Sequence, residues 1–360
     1  MPTPASDFDY VLPPDRIAQF SVEPRDRSRL MILDRATGMV AHKRFFEIEN
    51  ELKAGDVLVL NKTKVFKARL RGRRFAKEFE VFLLRPEPDA LPGSSVWQAL
   101  VRPGKLIHER NFIELVGGMV TTVALKKEDG KVLLSFHATV EDVLAYADTY
   151  GEIPVPPYVK TPLESLDKYQ TVYAERVGSV AAPTAGFHFT PELIARLKGK
   201  GVQCETVILH VGLGTFRPMK TETIEEHQMH AEYVEIDATA AQRINTAKAE
   251  GRRIIAVGTT TVRALEGAAA SHLLLPKGES ERVIGVLPSG GFLGDVNLFI
   301  TPGFRFLVVD ALITNFHLPK STLLVLVSAF AGCEHVLAAY EDAIKQDYRF
   351  YSFGDAMFIR

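Results

Sequence analysis

Two histidines stand where an imidazole can do acid–base work. His188 closes "SVAAPTAGFH" and is followed by Thr190 and Pro191, a good N-cap and a good first helical residue. His317 lies in "ITNFHLPKST", again just ahead of a helical pattern. Each follows an aromatic residue, Phe187 or Phe316. Partial positive charge at a helix N-terminus lowers an imidazole's pKa and favours the neutral base. A loop histidine held by hydrogen bonds gives the same pattern. His227 and His230, in "EEHQMHAEY" with Glu226 and Glu232, would share one helical face. Zinc wants a third ligand at a recognised spacing, and none follows. A polar substrate contact or a solvated face fits this pair better, and no metal is expected.

Three further stretches pass from apolar residues into Gly, Thr, Asn or His. They are "LHVGLGTF" with Gly212, Gly214 and Thr215, "AVGTTTVRALE" with Gly258, Thr259 and Thr260, and "ITNFH" with Asn315. Each reads as the end of a strand. Ligands of open α/β sheets sit beyond the carboxyl ends of strands, and glycines let backbone N–H groups come close. A helix starting at Thr259–Thr260 would turn unpaired N–H groups and its positive end toward an anion. Thr184 and Gly186, in the His188 segment, belong to the same set of candidate binding residues. Any one stretch alone reads equally well as a tight turn.

The local basic patch is "NKTKVFKARLRGRRFAKE". Lys67, Arg69, Arg71 and Arg73 would share one face of an extended strand, with Lys62 and Lys64 just before them. Such a stripe suits a phosphate backbone. A charged strand that protects a sheet edge looks the same.

The elements that must hold these residues fall into two textures. From Ala68 to about Tyr146 run short apolar segments, Phe79–Leu84, Val96–Val101, Phe112–Leu115, Val120–Leu125 and Val132–Phe136, with turn residues between them. That spacing predicts a small antiparallel barrel or sandwich. From Gly151 onward strands alternate with helices: Val207–Leu209, Arg253–Val257 and Phe306–Thr314 against Pro191–Leu197, Thr239–Glu250, Thr260–Ser271 and Ser321–Phe330. The alternation argues for an α/β layer architecture. A buried strand near Asp56 precedes the β-rich part. The expected layout is therefore an α/β domain of residues 1–65 and 151–360, with residues 66–150 inserted as the β-rich domain.

Composition sets outer bounds. The chain has 360 residues, 46% hydrophobic and 24% charged, ordinary for a globular protein. A net charge of −1 provides no global field toward a polyanion, so a nucleic acid must meet a local patch. Two isolated cysteines, Cys204 and Cys333, fit neither a disulfide scaffold nor a zinc ribbon, and suit a reducing compartment. The N-terminal stretch lacks a signal peptide's apolar core. The run Leu323 to Gly332 is too short to span a bilayer. A soluble cytoplasmic protein is expected. There is no Walker A pattern or nucleophile elbow, and "VGLGTF" lacks the third glycine of a dinucleotide fingerprint.

Taken together, the motifs are more specific than any one of them. The chain resembles the S-adenosylmethionine:tRNA ribosyltransferase-isomerase family of queuosine biosynthesis. The resemblance is carried by "FDYVLPPDRIAQF", "RDRSRLMIL", "GDVLVLNKTKVFKARL", "YGEIPVPPYV", "YQTVYAERVGSVAAPTAGFHFT", "LHVGLGTFRPM", "EHQMHAEY", "AVGTTTVRALE", "PGFRF", "DALITNFHLPKSTLLVLVSAFAG" and "YRFYSFGDAMFI". It implies a mixed α/β main domain carrying a small antiparallel β-barrel, in agreement with the segmentation. It also implies an enzyme that uses S-adenosylmethionine as a ribosyl donor. The ribosyl unit would pass to the aminomethyl group of 7-aminomethyl-7-deazaguanine at the tRNA wobble position and isomerise. Epoxyqueuosine, adenine and methionine are the implied products.

On that resemblance the candidates take roles. The sulfonium acidifies the neighbouring C5′–H, and His188 or His317 is the candidate base. Phe187 or Phe316 can face the sulfonium, a cation–π contact of about 0.5–2 kcal/mol. His227, His230 or Asp355 can assist adenine departure. The N–H groups at Thr259 and Thr260 suit the methionine carboxylate. Lys62, Lys64, Lys67, Arg69, Arg71 and Arg73 are the candidate tRNA contacts. Tyr169 and Tyr173 are candidates to cover an unstacked wobble base. A monomer is expected. A tRNA methyltransferase and a non-catalytic RNA-binding protein are the rival readings.

Overall fold

The computed structural model describes residues 2–88, 90–128, 130–156, 158–161, 163, 165–212, 219–229, 231–272 and 287–360. After three short helical turns come strands β1 (Arg29–Leu33) and β2 (Val40–Arg44), helix α1 (Ile48–Glu51), and strands β3 (Val57–Asn61) and β4 (Thr63–Val65). Six strands follow: β5 (Arg69–Arg74), β6 (Lys77–Pro86), β7 (Ser95–Arg102), β8 (Phe112–Leu115), β9 (Val120–Lys126) and β10 (Val132–Phe136). Next are α2 (Val140–Tyr150), β11 (Arg176–Ser179), α3 (Pro191–Gly199), β12 (Gln203–Leu209), β13 (Glu232–Ile236), α4 (Ala238–Ala249), β14 (Ile254–Val257) and α5 (Thr259–His272). The order closes with β15 (Phe292–Val296), β16 (Ala311–Asn315), α6 (Thr322–Ala331), α7 (Cys333–Lys345) and β17 (Ala356–Ile359).

Nine strands make one sheet in the order β15-β13-β12-β3-β14-β16-β17-β1-β2. Its centre, β12, β3, β14 and β16, is parallel. β17 is antiparallel to β16 and parallel to β1. Every side chain of β3, β14 and β16 is buried, as expected for strands covered on both faces. Alternate residues serve the two layers. Val57 and Val59 pack with apolar residues of α4, α5, α6 and α7. Leu58 and Leu60 pack with α1, α3, Phe45 and Phe189.

The β-rich part is a closed six-stranded barrel, β10-β7-β6-β5-β8-β9, and every paired neighbour is antiparallel. Closure removes the sheet edges. Trp97, Val81, Leu83, Ile113, Val123, Leu134 and Phe136 fill it, and Val143 and Ala147 of α2 join the same core. The barrel lies between β4 and β11, which pair in parallel. Arg69 and Glu152 pair as the chain passes into and out of this part. Arg85 of β6 forms a two-pronged ion pair with Asp295 of β15, tying the barrel to the edge of the large sheet.

Local chemistry explains the boundaries. Thr190 accepts from Leu193 N (3.2 Å) and Pro191 opens α3. Asp237 and Ser321 cap α4 and α6 in the same way. One predicted strand differs. The segment Phe306–Thr314 forms a strand only from Ala311. Glu266 of α5 accepts the N–H groups of Leu307, Val308 and Val309 at 2.8, 3.0 and 2.9 Å. A buried carboxylate thereby takes the donors that a ladder would need.

Candidate functional site

The parallel strands β12, β3, β14 and β16 all end at the same edge of the sheet, and a partly open cleft lies there, where ligands of open α/β sheets bind. Four separate parts of the chain wall it: Ala182–Ala185, Gly258–Thr260, Thr314–Ser321 and Tyr351–Ser352. Tyr158 and Val211 add to the wall. The sequence candidates Thr184, Gly258, Thr259, Thr260, Asn315 and His317 are thus brought together. The turn from β14 into α5 needs Gly258, whose φ is +90°, a region side chains avoid.

Two helices start at this cleft. Thr259 and Thr260 form the first turn of α5, whose N–H groups have no intrahelical acceptor. Thr260 Oγ1 is buried and has no hydrogen-bond partner among the described residues. Ser321 lines the cleft at the start of α6. Both positive helix ends therefore face the same space.

The two histidines differ. His317 lines the cleft. Its Nε2 pairs with Thr314 Oγ1 at 2.8 Å. Two phenols clamp its peptide: its N–H donates to Tyr340 Oη (2.9 Å) and its carbonyl accepts from Tyr10 Oη. No bond to Nδ1 occurs among the described residues. Burial pushes its pKa down to about 3, so the ring is neutral at neutral pH.

His188 sits behind the cleft wall and stacks on Phe45 at 5.0 Å. Both ring nitrogens are engaged, Nδ1 with Ser28 Oγ (2.7 Å) and Nε2 with Asn315 Nδ2 (3.1 Å). Asn315 Nδ2 also donates to the Tyr351 carbonyl (3.2 Å). An amide nitrogen only donates, so His188 Nε2 accepts and Nδ1 carries the proton toward Ser28. Burial, followed by the charges of Arg349 and Arg25, lowers its pKa to about 3.

The other candidates lie elsewhere. Asp355 is buried and accepts from the backbone N–H groups of Arg29 (2.9 Å) and Arg349 (2.8 Å); it does not line the cleft. His227 packs edge-on to Phe299. Gly186 packs under Tyr173, whose hydroxyl stands 1.9 Å from where a Cβ would be. Gly212 N–H donates to Glu232 Oε1 (3.0 Å), and Glu232 pairs with buried Arg263 of α5. Gly214, Thr215 and His230 lie outside the described residues. Among the described residues, no three of His, Cys, Asp or Glu gather as a metal site, and no single helix is long and apolar enough to cross a membrane.

The basic stripe has the predicted alternation: Arg71 and Arg73 point outward while Leu70 and Gly72 are buried. It is also lined by acids. Lys62 pairs with Glu175 at 3.2 Å, Lys67 with Asp148 at 3.7 Å, and Arg69 with Glu80 at 3.8 Å. Arg71 pairs with Glu152 at 3.0 Å and Arg73 with Glu114 at 3.2 Å. Lys64 is exposed. Tyr169 is fully buried between Phe187 and Phe353, and Tyr173 is partly buried.

Sequence reasoning gave no role to Tyr158, Tyr351, Thr314, Ser28 or Arg263. Tyr351 is the most unusual of these. Its φ is +72°, its hydroxyl is buried without a partner among the described residues, and its ring stacks on Tyr158 at 4.5 Å. The only local signal was its place in "YRFYSFGDAMFI"; its stacking on Tyr158 joins residues 193 apart in the chain, and its bonds to Phe316 and Asn315 come from another strand end.

Comparison with known proteins gives the family. Residues 5–359 match the family described as queuosine biosynthesis protein. The chain is 47% identical over 359 residues to the S-adenosylmethionine:tRNA ribosyltransferase-isomerase of Desulfitobacterium hafniense, with 98% of each covered. It is 48% identical over 356 residues to that of Carboxydothermus hydrogenoformans, again with 98% of each covered. A solved structure of S-adenosylmethionine tRNA ribosyltransferase from Thermotoga maritima is 38% identical, covers 99% of this chain and 100% of its own, and has a TM-score of 0.55. A cleft assembled at the strand tips of an α/β sheet, an inserted barrel and a match along nearly the whole length lead to one conclusion: the chain belongs to the queuosine biosynthesis protein family and is a tRNA ribosyltransferase-isomerase.

Proposed function

We propose that this enzyme transfers the ribosyl unit of S-adenosylmethionine to the aminomethyl group of 7-aminomethyl-7-deazaguanine at the tRNA wobble position and isomerises it. The products are epoxyqueuosine in tRNA, adenine and methionine. A tRNA substrate implies the cytoplasm. The barrel of residues 66–150 is the inserted part, and the basic stripe that leads into it, from Lys62 and Lys64 to Arg73, contacts tRNA phosphates.

One observation carries the reading. Three kinds of chemistry lie in order across neighbouring strand tips: an anion-binding helix start after β14, a neutral imidazole after β16, and an aromatic pair beside β17. Strands are spaced about 4.8 Å apart, so the ends are about 10 Å apart. That polarity suits a zwitterionic nucleoside. The methionine carboxylate meets the N–H groups and hydroxyl at Thr259 and Thr260. The sulfonium lies near the middle, and the purine meets Tyr158 and Tyr351.

His317 is the base. For this role its Nε2–H donates to Thr314 Oγ1, leaving the Nδ1 lone pair for the C5′ proton that the sulfonium acidifies. His188 has both ring nitrogens committed and holds Asn315 in place. Opening of the sugar then expels adenine.

The test is mass spectrometry of precursor tRNA after incubation with enzyme and S-adenosylmethionine. The expected result is epoxyqueuosine with equal amounts of free adenine and methionine. S-adenosylhomocysteine would show methyl transfer instead, and the absence of any product would leave binding alone; either overturns the reading.

A further inference from the structure

Tyr351 has a buried hydroxyl with no hydrogen-bond partner among the described residues, and the residue is one of those lining the cleft. Such a group in a native interior calls for a cause. Its backbone calls for one as well. An aromatic residue at φ +72° is held against its own preference, and such strain gathers at functional sites. Three bonds enforce it. The Tyr351 N–H donates to Phe316 O (3.1 Å), and its carbonyl accepts from Gly354 N (2.9 Å) and Asn315 Nδ2 (3.2 Å). Asn315 is fixed in turn by His188, and His188 by Ser28. A buried chain of three side chains, Ser28, His188 and Asn315, thus ends on the backbone carbonyl of Tyr351 and fixes that residue at the aromatic end of the cleft.

We propose that Tyr351 is a catalytic residue whose hydroxyl donates a hydrogen bond to the departing purine, and that His188 is a positioning residue for it through Asn315. The inference rests on the ribosyl-transfer reading above. As the C1′–N9 bond breaks, its electron pair passes to the purine ring. Tyr351 keeps its own proton and stabilises that charge through a ring nitrogen. Burial raises the phenol's pKa well above its ordinary value, so it remains an O–H donor at neutral pH. The proton that His317 removed from C5′ neutralises the purine, so no outside acid or oxidant is required.

The test compares Tyr351→Phe with the parent enzyme, using S-adenosylmethionine and an analogue carrying 8-azaadenine, a better leaving group. Tyr351→Phe should bind the donor within about threefold of the parent. Its kcat for purine release should fall about 10- to 100-fold and recover most of that loss with the analogue. His188→Ala should lower kcat in the parent but add little in Tyr351→Phe. If Tyr351→Phe does not fold, 3-fluorotyrosine at position 351 retains the shape and should alter kcat without altering donor affinity. An unchanged kcat, an equal loss with both donors, or a loss seen only in affinity removes Tyr351 from catalysis while leaving the ribosyl-transfer reading intact. If the parent releases no adenine, the reading itself falls, and this inference with it.

Discussion

His317 and His188 look alike in sequence, and only their partners separate them. His317 has one ring nitrogen tied to Thr314, whereas His188 has both tied up. His317→Ala should therefore cost about 10²–10⁴-fold in turnover with donor affinity little changed, as read by single-turnover adenine release and calorimetry. Thr314→Val should reproduce part of that loss, because Nε2 then lacks its acceptor. Both rings also predict acid sensitivity. Each has a folded pKa of about 3 against an ordinary 6.5. Above pH 6.5 neither state binds the proton and there is no effect. Below it the unfolded chain takes up protons that the native chain refuses, so stability falls until about pH 3. The slope is about 1.4 kcal/mol per pH unit for each ring, or about 4 kcal/mol for both by pH 5. Urea melts at pH 7.5 and 5 test this: replacing either ring by Gln should halve the difference. The imidazoles themselves were legible from their place before helices. Their division of labour was not, since it turns on Ser28 and Asn315, which meet His188 from 160 and 127 residues away.

Among the elements, α5 links most of the site. Its first turn faces the cleft, Glu266 captures the loop before β16, and Arg263 holds Glu232, which holds Gly212. Arg263→Met leaves a buried carboxylate without its guanidinium and should cost about 3–5 kcal/mol, while Arg263→Met with Glu232→Met together should cost much less. Chemical denaturation of the three variants measures both. The helical turn at Thr184–His188 depends on close packing instead. A methyl at Gly186 would stand 1.9 Å from the Tyr173 hydroxyl and 2.7 Å from Thr171 Cγ2. Gly186→Ala should destabilise by about 1–3 kcal/mol, lowering Tm, and Tyr173→Phe should restore part of it. The helices and barrel strands were readable because their periods and turn residues agree with their final state. The antiparallel strands β13, β15 and β17 were not readable as sheet members. They are four or five residues long and join the sheet through pairings with distant segments.

At the scale of the molecule, a closed barrel is joined to an open sheet, with an ion pair between Arg85 and Asp295. The stripe on β5 carries its cations already paired with acids. Phosphates must compete with those acids, so each arginine contributes less than an unpaired one would. Replacing Arg69, Arg71 and Arg73 together by Ala should still weaken tRNA binding and flatten its dependence on salt. Equal affinity across several salt concentrations would remove the stripe from the tRNA path.

The sheet is also assembled out of chain order. β3, with all five side chains buried, pairs with β12 and β14, which are synthesised about 140 to 200 residues later. The barrel strands emerge from the ribosome in between and find their partners among themselves. At roughly 5–20 residues per second, the greasy segment Val57–Asn61 waits on the order of ten to forty seconds for company. A nascent chain is therefore most vulnerable to clumping after its barrel is made and before its catalytic half exists, and a chaperone that grips early apolar stretches should matter more to its yield than to its final stability.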